Sequence, residues 1–119
     1  MLKLNGVLKD YLWGGQKLKT LFGRENGGKI LAESWEVSVH PDGESTVAGG
    51  NGTLAQYLRA HPCAVDEEGN PFPVLIKYID AKQNLSVQVH PNDEYARRVE
   101  HDNGKTEMWY IVSADEGAF

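Results

Sequence analysis

The chain has 119 residues, of which 40% are hydrophobic and 24% are charged, and its formal net charge is −5 at pH 7. This length suits one domain with a core, whereas the mild acidity argues against a nucleic-acid partner, which needs clustered Lys and Arg side chains. No stretch approaches the roughly 18 consecutive apolar residues of a membrane span, so we expect no membrane partner. The single cysteine, Cys63, excludes a fold held by intrachain disulfides and favours a cytoplasmic protein.

The pattern along the chain predicts a mostly β architecture with two short helices. Thirteen glycines and five prolines divide the sequence into short segments, and four of these are rich in the β-branched and aromatic residues that favour strands. In chain order we predict a strand at 34–40, a helix at 52–62, strands at 72–80 and 85–90, a helix at 92–104 and a strand at 106–113. The connection 81–84 has the length of a hairpin loop, and segments 23–28 and 66–71 are predicted to be exposed loops.

Local capping signals mark both predicted helices. Thr53 is followed three positions later by Gln56, which is the spacing of a capping box, and Pro62 ends that helix. The second helix is predicted to begin at Asn92 and to end at residues 103–104, an Asn-Gly pair.

The end of the sequence predicts an interrupted sheet. The strand at 106–113 is followed by a predicted turn at 114–117 and by the first residues of another strand, which would leave an unpaired sheet edge. We therefore expect a fragment of a longer chain, and self-association through the open edge if the chain is truncated.

Polar side chains recur at every second position of the predicted strand at 85–90. Because side chains alternate across a strand, Ser86, Gln88 and His90 share one face. A solvated outer face is the simple explanation. The alternative is a metal site, because the Gln88 amide oxygen and the His90 imidazole would lie about 7 Å apart, near enough to share an ion.

Glu107 is the candidate for a third ligand. In the predicted strand at 106–113 it shares a face with Trp109 and Ile111, and a carboxylate turned toward a core needs a partner because burying a bare charge is costly. A metal ion would be such a partner, and a salt bridge to an Arg or Lys side chain is the alternative. Oxygen and nitrogen ligands without thiolate favour Zn²⁺, with Mn²⁺, Co²⁺ or Fe²⁺ as other choices.

The remaining histidines are weaker candidates for metal binding. His40 also precedes a proline, but Ser38 stands where the first motif has a glutamine. His61 and His101 fall at the ends of the predicted helices, where a structural role is expected.

The segment GRENGGKI, residues 23–30, resembles a phosphate-binding loop as far as Lys29. Ile30 replaces the hydroxyl residue that would hold Mg²⁺, and no apolar strand precedes the segment. A glycine turn is therefore the favoured interpretation, and no nucleotide site is expected.

Taken together, the motifs resemble the N-terminal part of a type I mannose-6-phosphate isomerase (phosphomannose isomerase) of the shorter bacterial form. The stretches that carry the resemblance follow in the family's order: YLWGG, AESWEVSVHPDG, GTLAQYL, FPVLIKYIDAKQNLSVQVHPND and GKTEMWYI. The resemblance implies a metal-dependent isomerase, usually with zinc, that interconverts mannose 6-phosphate and fructose 6-phosphate through an enediol. It also implies a cupin-type jelly-roll barrel, incomplete in residues 1–119, with a sugar phosphate as the partner.

The resemblance assigns the metal to Gln88, His90 and Glu107. It implies that the family's fourth metal ligand, a histidine, and an active-site arginine come from a C-terminal half that does not occur in these 119 residues.

The resemblance assigns a second group of residues to the bound sugar phosphate. Lys77 and Lys105 are the implied catalytic residues, and both are implied to bind substrate together with Ser86. Trp13 is expected to pack near the pocket. Without the resemblance, Lys105 would be interpreted as an exposed lysine, and Lys77 as one whose stem covers apolar surface.

Two other functions remain open at this point. The chain could be a non-catalytic cupin module that binds a metal or a sugar, in which case zinc would bind without turnover. It could also be a structural fragment, for which we expect less than stoichiometric metal.

Overall fold

The computed structural model describes residues 1–50, 52–62 and 72–118. Their contacts divide the chain into two units, Met1–Leu85 and Ser86–Phe119. In chain order the elements are β1 (Leu4–Asn5), β2 (Val7–Lys9), α1 (Lys17–Phe22), β3 (Glu33–Val37), β4 (Thr46–Val47), α2 (Leu54–Ala60), β5 (Ile76–Ile79) and α3 (Asp93–Tyr95), which continues as a π-helical turn (Ala96–Glu100). Within these ranges no helix combines the length and the apolar character needed to cross a membrane.

Two antiparallel sheets frame the first unit, and neither closes into a barrel within the described residues. Strands β2, β3 and β5 form one sheet with β3 at its centre, and β1 pairs with β4 in the other. Trp35 on β3 lies opposite Val7 on one side and Lys77 on the other. The predicted strands at 34–40 and 72–80 are thus present as the shorter β3 and β5, while the predicted loop at 66–71 lies outside the described residues.

The ladder of the central strand is irregular at one point. The register with β5 shifts between Trp35 and Val37, and a shift of this kind disrupts the ladder locally. The hydroxyl of Ser45, which is fully buried, donates toward the carbonyl oxygens of Trp35 and Glu36 at 3.3 and 3.2 Å. A buried serine from the neighbouring loop therefore supplies a hydrogen-bond donor to these two carbonyl groups of β3.

Helix α1 was not predicted from the sequence. Its first residue follows Gln16, which supplies no side-chain cap. The backbone N–H of Lys17 instead donates to Asp80 Oδ2 at the end of β5, at 2.5 Å. The helix ends at Gly23, whose φ of 63° lies in the left-handed region that glycine tolerates best, and Leu18 anchors the helix in the core.

Helix α2 has the predicted capping box. The hydroxyl of Thr53 accepts the N–H of Gln56 at 3.2 Å, and the Gln56 side chain accepts the N–H of Thr53 at 3.0 Å. The apolar face is held by Leu54, which is buried. The prediction of this helix is confirmed.

The predicted strands at 85–90 and 106–113 are wrong for this structure, because no strand forms in the described residues 82–118. The valines that alternate with the polar side chains of this segment are solvated, with Val87 99% and Val89 88% exposed. β-branched residues favour a strand only when a neighbouring ladder accepts their backbone groups, and within this range no ladder does so. The predicted sheet edge is therefore not formed there, and self-association through it stays a prediction.

The predicted hairpin at 81–84 is also wrong. The backbone N–H groups of Lys82 and Gln83 both donate to the carbonyl of Trp13, at 2.9 and 3.2 Å. This connection therefore ties the end of β5 to the loop before α1, where Trp13 stacks on Tyr11 at 5.6 Å between ring centroids.

The second predicted helix is present but ends early. Asn92 caps it as predicted, because its side-chain oxygen accepts the N–H of Tyr95 at 3.0 Å. The π-helical turn then ends at His101, a non-glycine residue with a φ of 58°, rather than at the predicted Asn-Gly pair. The turn predicted at 114–117 lies one residue later, where the N–H of Ala118 donates to Asp115 O at 3.1 Å.

The capping box should account for a measurable part of the stability of the first unit. We expect Thr53→Ala to lower the free energy of unfolding by about 1 kcal/mol, because the N–H of Gln56 loses its acceptor. Urea denaturation followed by circular dichroism measures the change. Thr53→Ser, which keeps the hydroxyl, is the matched control, and equal losses in both variants would contradict the assignment.

Candidate metal and substrate site

Two of the three predicted metal ligands are in direct contact in the second unit. His90 Nε2 and Glu107 Oε2 share a hydrogen bond although they are 17 residues apart, and both side chains are largely buried, at 26% and 19% exposure. The ammonium of Lys105 lies 3.3 Å from the same carboxylate oxygen, on a side chain that is half exposed. The carboxylate of Glu107 is therefore held between an imidazole and a lysine.

The electrostatics of this group favour an ionised carboxylate. Burial raises the pKa of Glu107. The hydrogen bonds from His90 and Lys105 and the charges on both groups lower the pKa by more than burial raises it, so that it lies below its ordinary value. Because an ionised carboxylate can only accept hydrogen bonds, His90 donates through Nε2–H here. A deprotonated carboxylate beside an imidazole is a pair of groups that commonly bind divalent metals.

The third predicted ligand does not join this contact. The amide of Gln88 donates to the hydroxyl of Ser86 at 3.0 Å, and both side chains are exposed. Metal ligation by Gln88 and substrate binding by Ser86 therefore stay predictions. Within residues 1–50, 52–62 and 72–118 no group of three or more His, Cys, Asp or Glu side chains is placed to hold a metal ion.

Lys77 has a different environment from Lys105. It projects from β5 in the first unit, where its ammonium lies 3.2 Å from Glu33 Oε1. Glu33 is buried, and its other oxygen accepts the indole N–H of Trp35 at 2.5 Å. The charge of Lys77 is thus compensated by a buried carboxylate, and its predicted role toward a substrate stays a prediction.

Glu33 was missed by the sequence analysis. It shares a strand face with Trp35 in the segment ESWEV, so that the alternation placed a carboxylate beside a large apolar ring. This is the same signal that drew attention to Glu107, and it could have identified a second buried carboxylate.

The weaker histidine candidates have structural contacts. His40 Nδ1 lies 3.1 Å from the backbone N–H of Asp42 and accepts from it, and the imidazole lies edge-on to Trp35 with ring centroids 5.7 Å apart. His61 stacks on Tyr57 at 4.1 Å, and its Nδ1 lies 2.8 Å from the Tyr57 carbonyl oxygen. Each ring is used by its own turn or helix end.

The glycine segment 23–30 behaves as a turn. Gly27 and Gly28 both adopt positive φ values, 73° and 84°, and Lys29 lies 3.1 Å from Asp10 Oδ2. The Lys29 ammonium holds the pKa of Asp10 below its ordinary value through a hydrogen bond and through its charge. The lysine is therefore used by a surface ion pair.

The profile of the family described as "Phosphomannose isomerase type I, catalytic domain" matches residues 1–116. The chain therefore belongs to the type I phosphomannose isomerase family. It is 43% identical over 122 aligned residues to the probable mannose-6-phosphate isomerase GmuF of Bacillus subtilis strain 168, with 98% of this chain and 39% of that protein covered. This chain thus spans about two fifths of the length of the relative it matches.

Solved structures show the same fold. The crystal structure of the mannose 6-phosphate isomerase from Bacillus subtilis aligns with a TM-score of 0.87 and 38% identity, over 98% of this chain and 39% of that chain. The mannose 6-phosphate isomerase from Salmonella typhimurium, solved with fructose 6-phosphate and zinc, aligns with a TM-score of 0.68 and 29% identity, over 82% of this chain and 27% of that chain. The fold class predicted from the sequence, mostly β and of the cupin type, is confirmed by these neighbours, with sheets that are not closed in the described residues.

The ion pair of Lys77 with the buried Glu33 predicts a stability effect that separates a structural role of Lys77 from substrate binding. We expect Lys77→Met to lower the free energy of unfolding by about 3 kcal/mol, because it leaves a buried carboxylate without its cation. The double variant Glu33→Gln/Lys77→Met should recover part of that loss, since no uncompensated charge remains.

Lys29→Met is the matched control, because both partners of its ion pair with Asp10 are exposed, and we expect little change in its unfolding curve. Urea denaturation of the four proteins gives the comparison. Equal effects of Lys77→Met and Lys29→Met would contradict a structural role for Lys77.

Proposed function

We propose that this chain carries part of the active site of a mannose-6-phosphate isomerase, and that residues 1–119 are the N-terminal part of its catalytic domain. The observation that carries the proposal is the contact of His90 with Glu107, in a chain that belongs to the type I phosphomannose isomerase family. The substrate would be a sugar phosphate, as in the Salmonella typhimurium structure with fructose 6-phosphate. A cytoplasmic location is part of the proposal and is supported by the single cysteine.

The residues of the second unit fit a divalent metal ion. Imidazole nitrogen and carboxylate oxygen are donors that zinc accepts, and the contact of His90 with Glu107 brings one of each to the same point. We assign Gln88 as the third ligand, whose amide would have to turn away from Ser86. His90 would present the Nε2 lone pair in place of its proton. When bound, zinc would supply a Lewis acid toward the oxygens of the substrate.

The reaction moves a proton between C2 and C1 of the sugar through an enediol, so that negative charge develops on oxygen. Lys105 is the residue of this chain best suited to stabilise that charge or the phosphate, because its side chain is half exposed and lysine acts on phosphate as a point charge. Lys77 and Ser86 remain assigned to the sugar phosphate on the resemblance of their motif.

Substitution of His90 tests the metal site. In the full-length polypeptide that the gene encodes, we expect zinc close to one equivalent and conversion of mannose 6-phosphate in a coupled assay. His90→Ala should lose zinc and lower kcat by more than the roughly 10–100-fold that the loss of an outer hydrogen-bond partner costs.

His40→Ala is the matched control, because His40 also precedes a proline but accepts a hydrogen bond from its own turn. It should retain zinc and turnover. Stoichiometric zinc that depends on His90, without any turnover of the parent protein, would instead support a metal-binding module. Loss of zinc to the same degree in both variants would contradict the assignment of His90 as a metal ligand.

Substitution of Lys105 separates substrate binding from metal binding. We expect Lys105→Gln to raise KM for mannose 6-phosphate by about tenfold or more, as the loss of a charged contact does. Zinc should be retained or bound more tightly, since a competing cation next to Glu107 is removed. Lys105→Arg keeps the charge and should therefore raise KM less than Lys105→Gln does. An unchanged KM in Lys105→Gln would contradict the assignment.

A further inference from the structure

The approach of His90 to Glu107 needs a physical cause other than strand pairing. The two residues are 17 positions apart, and the described residues 82–118 contain no strand, so that no β-ladder fixes their register. The intervening segment must therefore be closed by its own contacts. It has two arms, residues 91–92 after His90 and residues 101–106 before Glu107, and the short helix α3 with its π-helical turn lies between them.

Asp93 connects the two arms of this segment. Its Oδ1 accepts the backbone N–H of Gly104 at 2.8 Å, and its Oδ2 lies 3.2 Å from Arg97 Nη2, one helical turn further on. Next to this contact, the N–H of Lys105 donates to the carbonyl of Pro91 at 3.3 Å. Asp93 thus fixes the start of the helix to the returning arm.

The closure also depends on the absence of a side chain at Gly104. A Cβ atom there would lie 2.5 Å from the backbone nitrogen of Asp93 and 2.6 Å from the carbonyl carbon of Asn92. Separations this short do not occur between non-bonded atoms of these kinds, so that the two backbones approach as closely as they do because residue 104 is glycine. Asp93 lies three residues after His90, and Gly104 lies three residues before Glu107.

We infer that Asp93 is a positioning residue for the metal site: its carboxylate accepts the Gly104 N–H, closes the segment 91–104 and thereby holds His90 and Glu107 together. This inference rests on the proposed function, since the pair is taken to bind zinc. Asp93 itself does not touch the metal or the substrate. Its effect is on the fraction of molecules in which the two ligands are already adjacent, and that fraction sets the apparent affinity for the ion.

Zinc affinity, measured by competition with a chromophoric chelator on the full-length polypeptide, tests the inference. We expect Asp93→Ala to weaken zinc binding by about 10–100-fold, the range for outer partners of metal ligands. Asp93→Asn keeps an oxygen that can accept the Gly104 N–H and should recover most of the affinity. Gly104→Ala, which forces the arms apart, should weaken binding in the same direction.

Asp102→Ala is the matched control. Asp102 is an acid in the same segment, but its carboxylate accepts the N–H of its immediate neighbour, Asn103, at 2.7 Å, and so does not join the arms. Its zinc affinity should equal that of the parent protein. At saturating zinc, kcat of Asp93→Ala should return toward the parent value, whereas His90→Ala should not recover.

The outcomes distinguish the two levels of the argument. If the parent binds zinc through His90 but Asp93→Ala and Gly104→Ala bind it as tightly as Asp102→Ala, the positioning role is overturned and the metal site stands. If the parent shows no zinc binding that depends on His90, both are overturned. Because Asp93 is 59% exposed, its replacement by alanine leaves no internal cavity, and thermal unfolding of each variant checks that the fold is retained.

Discussion

Carboxylates that are buried, or that lie against backbone N–H groups, determine the main long-range contacts of this chain. Each of them requires hydrogen-bond donors. Two of these acids have a donor from a distant position in the sequence. Asp80 receives the N–H of Lys17, 63 positions away, and Glu33 receives the ammonium of Lys77, 44 positions away. Each acid thereby fixes a contact that local propensity does not specify. Asp80 joins the end of β5 to the start of α1, and Glu33 on β3 pairs with Lys77 on β5.

The same constraint gives Glu107 its chemical interest. The donors of Glu33 are an indole and a lysine that are fixed on neighbouring strand positions, so that its carboxylate is fully used by the fold. The donors of Glu107 are an imidazole, which can exchange its proton for a metal ion, and a half-exposed lysine. The buried Glu33 and the largely buried Glu107 therefore have similar partners but differ in whether those partners can be replaced by a ligand.

The elements that could be predicted from the sequence are those whose determinants are local. Helix α2 was found because Thr53 and Gln56 cap it within one turn. Helix α1 was missed because its cap is Asp80, which no local pattern connects to it. The strands expected at 85–90 and 106–113 failed for the same reason, since a strand exists only with a partner ladder and the residues themselves specify only a preference for one.

The candidate site was predicted by an argument that was partly wrong. Alternation along two paired strands was expected to bring His90 and Glu107 together, and the side chains do meet, but a capped helix and a closed return segment produce the contact. Alternation is a statement about one strand, whereas the meeting of two residues depends on what closes the chain between them. The roles of Gln88, Ser86 and Lys77 stay predictions.

Two of the three His-Pro pairs of the chain, those at His40 and His90, show how the residues that follow determine the contacts of an imidazole. After His40 the chain reverses, the N–H of Gly43 donates to the His40 carbonyl, and the N–H of Asp42 donates to the imidazole itself. After His90 the second residue is Asn92, whose side chain caps a helix with its own oxygen. The start of this helix therefore does not use the His90 ring as a hydrogen-bond partner. Because of this difference from His40, the His90 imidazole can face Glu107 and exchange its proton for a metal.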